Sequence, residues 1–316
     1  MRPLIPANVL SSTFEITCDD GRVAAFVVPE NLAHSVSLEP GSARSDWVGR
    51  LPEIVARLAE HWSLRLDAPY QPGGECAWVA PVRTPAGARL VLKAGWRHDE
   101  AASEFDGLRA WDGSGTVLAH DCRVVDDTIA LLLERCEPGT PLAATASERE
   151  QDVVIAGLLR RLWSVRVPGR GFRSLRVMCD AWAAEFDRRV AGVALPLDPG
   201  LVRAGIDLLR ALPRSAGQSA LLATDLHASN VVAARREPWL VIDPKPYVGD
   251  PAYDCTQHML NCDTRLFTDP AGMARRMADL LDLDAGRVTQ WLIVRCVEGS
   301  ISRPALRPVA TALSPG

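Results

Sequence analysis

Lysine is nearly missing from this chain. Of its 35 basic residues only two are lysine, Lys93 and Lys245, so Lys93 stands alone in the first two hundred residues. There is no basic excess either, because 39 acidic residues leave a formal net charge of −4. Nucleic acid is therefore not the expected partner. No apolar run approaches the roughly eighteen residues of a membrane helix, which excludes a membrane-spanning helical protein. The opening residues MRPLIPANVLSSTFEITCDDG lack a basic stretch and a long apolar core, so no secretory signal is expected and the cytoplasm is the expected location. Eight cysteines occur without a CxxC pair, as reduced thiols of a cytosolic protein would. Also absent are the Walker spacing and a full GxGxxG. No internal repeat or low-complexity run is present.

What remains is an ordinary globular composition, 47% apolar and 23% charged, in 316 residues. That length predicts two lobes with separate cores. Residues 1–45 read as short strands and turns, with FEIT and VAAFVV flanking the turn Cys18-Asp19-Asp20-Gly21. Residues 47–62 carry Leu51, Ile54, Val55, Leu58 and Trp62 on one helical face. Two apolar strands, 76–82 and 89–94, flank the turn Thr84-Pro85-Ala86-Gly87. A helix is predicted over 98–111, then three strands over 116–120, 122–125 and 128–134.

After Pro138-Gly139 the period lengthens to that of helices. Stripes run through Val154 to Trp163, Leu175 to Phe186 (Ser174 as N-cap) and Leu201 to Leu212. Two strands follow, 231–233 and 239–242, around Arg235-Arg236-Glu237-Pro238, and helical patterns resume near Tyr253, Ala271 and Val288. The expected class is α+β. A β-rich lobe spans 1–137, with 1–45 as an extension, and a mainly helical lobe spans 138–316. The hinge lies at 134–139.

The chemistry concentrates in LLATDLHASNVVAARREPWLVIDPKPYVGDPAYD, residues 221–254. Asp225 is followed five residues later by Asn230, and Asp243 ends the second strand of a hairpin. An ionised Asp225 can accept a hydrogen bond from an acceptor hydroxyl. Asn230 and Asp243 offer oxygens of the kind Mg²⁺ prefers. Lys93, inside an apolar strand, must meet anions or water, since an unpaired buried ammonium is costly. On the following helix Glu104 is the preferred partner and Glu100 the alternative. Gly73 and Gly74 precede the first strand of the hairpin that ends at Lys93 and permit backbone approach to phosphate; a plain turn is the competing reading. Glu134 to Cys136 would be the hinge that meets an adenine edge. Cys255, His258 and Cys262 fall on one helical face at spacings that fit no standard zinc pattern, so core packing is expected.

This spacing resembles the working core of protein-kinase-like phosphotransferases. ATDLHASN, WLVIDPKPYVGDPAYD, VLKA and the helix EAASEFDGLRAW resemble more closely the aminoglycoside and hydroxyurea phosphotransferases, above all the streptomycin 6-kinase branch. The resemblance covers residues 47–262. It implies a two-lobed kinase-like fold, ATP, Mg²⁺ and transfer to a hydroxyl of a small antibiotic such as streptomycin, or to hydroxyurea. Asp225 would be the catalytic group, Asn230 and Asp243 the metal ligands, and Lys93 with Glu104 the phosphate-holding pair. Ala223-Thr224 replace the His-Gly found in many relatives, and Lys245 replaces the Gly of a kinase DFG. Asp250 and Asp254, with Asp263 and Glu298 beyond, are expected to meet cationic groups of the acceptor; capping of loops and helices is the competing role. A metabolic amino sugar kinase and a non-catalytic nucleotide-binding regulator are the alternatives. The intact set Lys93, Asp225, Asn230 and Asp243 speaks against the regulator. Nothing in the sequence sets an oligomeric state.

Overall fold

The computed structural model describes residues 15–17, 23–98, 103–166, 171–192 and 195–314. The chain divides into two compact units, Met1–Phe105 with Val117–Arg135, and Asp106–Thr116 with Cys136–Gly316.

The first unit is built on a five-stranded antiparallel sheet. Its spatial order is Arg65–Leu66, Ala77–Arg83, Arg89–Trp96, Thr128–Glu134, Ala119–Val125. Alternation along Arg89–Trp96 sends Leu92 and Ala94 into a core shared with Trp78, Ala80, Ala130 and Leu132. The helix Ala43–His61 closes that core with Trp47, Leu51, Ile54 and Leu58, and its N-cap Ser42 accepts the Ser45 N–H. Lys93, between Leu92 and Ala94, therefore projects from the other face. It sits in register with Val79 on one side and Leu131 on the other.

Two details differ from expectation. A helix occupies Glu30–Ser37, where only strands and turns were expected. Its single buried side chain, Leu32, leaves no stripe for periodicity to detect. The strands Glu15–Thr17 and Val23–Ala25 do pair, and the turn at 18–21 lies outside the described residues. The separate strands expected at 116–120 and 122–125 are one strand, Ala119–Val125, with a register irregularity between Ala119 and Asp121.

The segment Asp106–Thr116 joins the second unit, and the boundary falls at Arg135/Cys136 rather than after 137. Packing and hydrogen bonds explain the change. A Cβ at Gly107 would lie 2.2 Å from Pro246 Cγ, so only glycine permits that contact. Arg236 donates to the carbonyls of Gly113 and Thr116, both at 2.7 Å, and the Val241 N–H donates to Gly115 O at 2.9 Å.

Helices dominate the second unit. Glu148–Ser164 begins with a capping box between Ser147 and Glu150. Leu175–Val190 and Pro199–Ala211 start at the caps Ser174 and Asp198. Ala285–Gly299 buries Val288, Trp291, Leu292, Val294 and Val297 and packs against Pro199–Ala211, Pro270–Leu281 and Leu306–Leu313. Two small sheets interrupt the helices. One is the hairpin of Val231–Ala233 with Trp239–Val241. The other places Tyr247–Gly249 between Arg173–Ser174 and Ala220–Leu222. Strands of two or three residues are too short to show alternation, and none of this second sheet was expected. Among the described residues no helix is long and apolar enough to cross a membrane.

Candidate active site

In the first unit the Lys93 ammonium meets Glu104 Oε2 at 2.6 Å, with side-chain exposures of 14% and 6%. Glu104 opens the helix Glu104–Trp111, and Glu100 lies outside the described residues. Such enclosure makes the pair interdependent, since either partner alone would be a poorly solvated charge. Residues 67–76 join the strands Arg65–Leu66 and Ala77–Arg83. Within this link Gly73 adopts φ +75°, and a Cβ there would lie 2.5 Å from Pro29 Cβ. Its carbonyl accepts Asn31 Nδ2 at 2.8 Å, so the turn is tied to the helix Glu30–Ser37; Gly74 has open space around it. Glu134 ends the strand Thr128–Glu134, its carboxylate accepting the Leu118 N–H at 3.0 Å. Cys136 begins the second unit's main segment, where Gly139 N–H bonds Ala233 O.

In the second unit the strand Ala220–Leu222 delivers the loop that carries Asp225. Asp225 Oδ1 accepts Gln257 Nε2 at 2.9 Å, and Oδ2 lies 2.9 Å from the Lys245 ammonium. Gln257 is itself held by Arg295, whose guanidinium also stacks over Trp182 and bonds the Tyr253 hydroxyl. Asn230 Nδ2 donates to the Asp225 carbonyl at 3.1 Å, which directs its amide oxygen away from that contact. Ile242 N–H bonds Asn230 O, so the hairpin brings Asn230 to the residue just before Asp243. Asp243 adopts φ +53°, an uncommon conformation for a non-glycine residue. His227 is held below its ordinary value by burial, although the charges of Asp225 and Asp243 oppose the shift.

Asp254 anchors this loop. It is completely buried, with Oδ2 accepting Ala223 N–H and Trp163 Nε1, both at 3.0 Å, and Oδ1 accepting Thr224 N–H at 2.7 Å. Burial pushes its carboxyl up to about 6 against the pull of those three donors. Asp250 is also internal. It caps Pro251–Asp254 through the Ala252 N–H and accepts Arg287 Nε at 2.7 Å and Trp291 Nε1 at 2.6 Å. Both carboxylates are thus occupied by the chain's own donors, and the acceptor contacts expected of them give way to positioning and capping. Asp263 pairs with Arg303.

The helical-face reading of Cys255, His258 and Cys262 is partly redrawn. His258 and Cys262 meet Asp152, their ligand atoms lying within 4.8 Å of one another, and Cys255 is not in the group. Asp152 accepts His258 Nε2 at 2.9 Å, Arg265 at 2.8 Å and Arg276 at 2.8 Å. Burial pushes its carboxyl up, but those three partners outweigh it and hold it at about 2. Burial also pushes the Cys262 thiol up to about 12, so it stays protonated. Two guanidinium groups on the carboxylate and a protonated thiol make an ion-pair anchor, a poor environment for a metal cation. None of the seven described cysteines is in a disulfide. Asp152→Asn is expected to destabilise the fold by about 3–5 kcal/mol, read as a lower urea midpoint at pH 7. The wild-type contribution is present above the unfolded carboxyl value of 3.8 and is lost as pH falls through about 2, so the two proteins should converge in acid.

Sequence reasoning did not single out Gln257 as a partner of Asp225, nor the contact of Lys245 with it. No motif surrounds Gln257. The scarcity of lysine was the available signal for Lys245. Beside the loop is a cavity of about 380 Å³, lined among others by Glu148, Gln151, His227, Ser229, His258 and Asn261. Glu148 Oε2 is buried there without a hydrogen-bond partner.

The family model for aminoglycoside/hydroxyurea antibiotic resistance kinases matches residues 61–303. A streptomycin 6-kinase from Streptomyces griseus is 36% identical over 282 residues, 87% of this chain and 90% of that kinase. A hydroxyurea phosphotransferase from Kitasatospora aureofaciens is 35% identical over 307 residues, 92% of this chain and 86% of that enzyme. Among solved structures, a choline kinase from Streptococcus pneumoniae matches with a TM-score of 0.56 at 12% identity, covering 83% of this chain and 95% of its own. A macrolide 2'-phosphotransferase from Brachybacterium faecium matches with a TM-score of 0.51 at 20% identity, covering 84% and 99%. Those two likenesses show the fold, which is protein-kinase-like and α+β.

Proposed function

We propose a reaction on one premise: the chain belongs to the aminoglycoside/hydroxyurea antibiotic resistance kinase family. It is a phosphotransferase that moves the γ-phosphoryl group of ATP to a hydroxyl of a small molecule. The favoured acceptor is an aminoglycoside-type antibiotic such as streptomycin, or hydroxyurea. One observation carries the reading. Asp225 is oriented by Gln257 and Lys245, while Asn230 is tied to the Asp225 carbonyl and the hairpin carries Asp243 beside it.

The donor set fits Mg²⁺. Asn230 and Asp243 are hard oxygen donors, and the Asn230 amide is already turned by its bond to Asp225. In the first unit Lys93, held by Glu104, would bind phosphate; Gly73 and Gly74 would bring backbone N–H groups to it, and residues 134–136 would meet the adenine edge. Bound Mg·ATP supplies the phosphoryl group and spreads its charge. Asp225 orients the acceptor hydroxyl and takes its proton.

The cavity beside the loop suits the acceptor. Its volume of about 380 Å³ is in the range of small-molecule sites, and Glu148 offers a carboxylate for guanidinium or ammonium groups. A need for ATP, together with thiols read as reduced, supports a cytoplasmic location.

A coupled ATP-consumption screen over aminoglycosides, hydroxyurea and amino sugars tests the proposal. ADP release that depends on streptomycin or hydroxyurea is the expected result. Turnover of amino sugars alone would move the enzyme into metabolism, and Mg²⁺-dependent ATP binding without any turnover would leave a regulator.

A further inference from the structure

We propose that Lys245 is a catalytic cation, which binds the phosphoryl group as it passes to the acceptor oxygen held by Asp225. The proposal rests on the phosphotransferase reading and assigns it a residue. Three observations support it.

The first is composition. The chain has only two lysines among 35 basic residues, and each lies on a carboxylate, Lys93 on Glu104 in the first unit and Lys245 on Asp225 in the second. Apart from His258–Asp152, ion pairs elsewhere among the described residues of the second unit are made with arginine, as in Arg161–Glu237, Arg214–Asp180 and Arg287–Asp250. Arginine would serve equally well at 245 if neutralising a carboxylate were the whole task. A planar guanidinium seated on a carboxylate commits its parallel N–H groups there. A tetrahedral ammonium can bond a carboxylate oxygen and a phosphoryl oxygen together.

The second is backbone geometry. Lys245 N–H donates to Ala223 O at 2.8 Å, and Lys245 O accepts the Thr224 hydroxyl at 2.5 Å. These two bonds attach Lys245 to the residues immediately before Asp225. Asp254 holds the N–H groups of the same two residues. Pro244 and Pro246 flank Lys245 and restrict its backbone further. The loop framework thus fixes the Lys245 backbone beside Asp225, and its ammonium meets the carboxylate at 2.9 Å.

The third is accessibility. Lys245 keeps 36% of its side-chain surface exposed and Asp225 keeps 19%, so an anion can approach both.

In the transfer, the acceptor oxygen forms its bond to phosphorus as the bond from phosphorus to the leaving nucleotide oxygen breaks. The electron pair of the broken bond leaves with the nucleoside diphosphate. The acceptor proton goes to Asp225, and Lys245 keeps all of its own. A fixed cation at this point stabilises charge on the moving group without reorganising.

The test compares wild type, Lys245→Met and Lys245→Arg, with thermal unfolding as a check that each is folded. Two readouts are used: steady-state kinetics, and calorimetric binding of Mg·ADP with and without aluminium fluoride, a mimic of the transferred phosphoryl group. Lys245→Met is expected to lower kcat about 100- to 1,000-fold while the KM for ATP stays within about threefold. Lys245→Arg should fall between the two. Fluoride should tighten Mg·ADP binding to wild type by about 100-fold or more, and Lys245→Met should lose most of that gain while binding Mg·ADP alone normally. An unchanged kcat, or an equal fluoride gain in both proteins, would overturn the role of Lys245. A wild type that binds no Mg·ADP would overturn the phosphotransferase reading and this inference with it.

Discussion

Asp225→Asn is expected to lower turnover by about 100- to 10,000-fold, the range for loss of a positioned acid–base group. The substitution is nearly isosteric. An amide oxygen can still accept a hydrogen bond from Gln257 or Lys245, so the loop should keep its path. It cannot take the hydroxyl proton. Lys245 loses the charge of Asp225, but it is about one-third exposed and water can solvate it, so stability should change by less than about 1 kcal/mol. The expected pattern is a collapsed kcat with Mg·ATP-analogue affinity near wild type, read by steady-state kinetics and calorimetry. A variant that turns over at the wild-type rate would remove Asp225 from the chemistry.

Asp254→Asn is expected to damage both fold and rate. Three buried donors converge on this carboxylate, the N–H groups of Ala223 and Thr224 and the indole of Trp163. Asparagine offers one acceptor oxygen and sets an NH₂ against at least one remaining donor. Each unsatisfied buried group costs about 1–3 kcal/mol, so a total near 3–5 kcal/mol is expected in urea unfolding. The two N–H groups belong to the residues that place Asp225, and a displacement on the order of 1 Å there lowers rate by roughly 100-fold. The pH dependence has a definite sign. Burial raises the folded carboxyl to about 6 from 3.8, so this group's contribution to stability is greatest below 3.8 and declines as pH rises through 6. The gap between wild type and Asp254→Asn should therefore narrow from pH 4 to pH 6. A gap that widens over that interval would mean that the carboxyl is not shielded as described.

Asp254 also marks where the sequence stopped being informative. Its place after Gly249-Asp250-Pro251 made it a carboxylate near the chemistry, and from sequence an acceptor contact and a structural anchor look alike. Burial separates them, because a fully buried carboxylate already holding three internal donors lies out of reach of an acceptor. The spacing of Asp225, Asn230 and Asp243 was legible because one short hairpin links them. The preference for Glu104 followed from its position on the flank of a helical stripe, and it meets Lys93. Gln257 and the side-chain contact of Lys245 were not legible. Both depend on how strands of two or three residues route the chain back past the loop, and strands so short carry no periodic signal. The same reason hid the helix Glu30–Ser37, with one buried residue.

The most direct measurement is the product itself. Streptomycin and hydroxyurea, each incubated with Mg·ATP and the enzyme, would be followed by mass spectrometry and phosphorus NMR, with Asp225→Asn as the control. The account predicts an acceptor that gains one HPO₃ as a hydroxyl ester, in step with ADP release, and no product from Asp225→Asn. ATP hydrolysis to free phosphate with both acceptors unmodified, or equal product from Asp225→Asn, would contradict it.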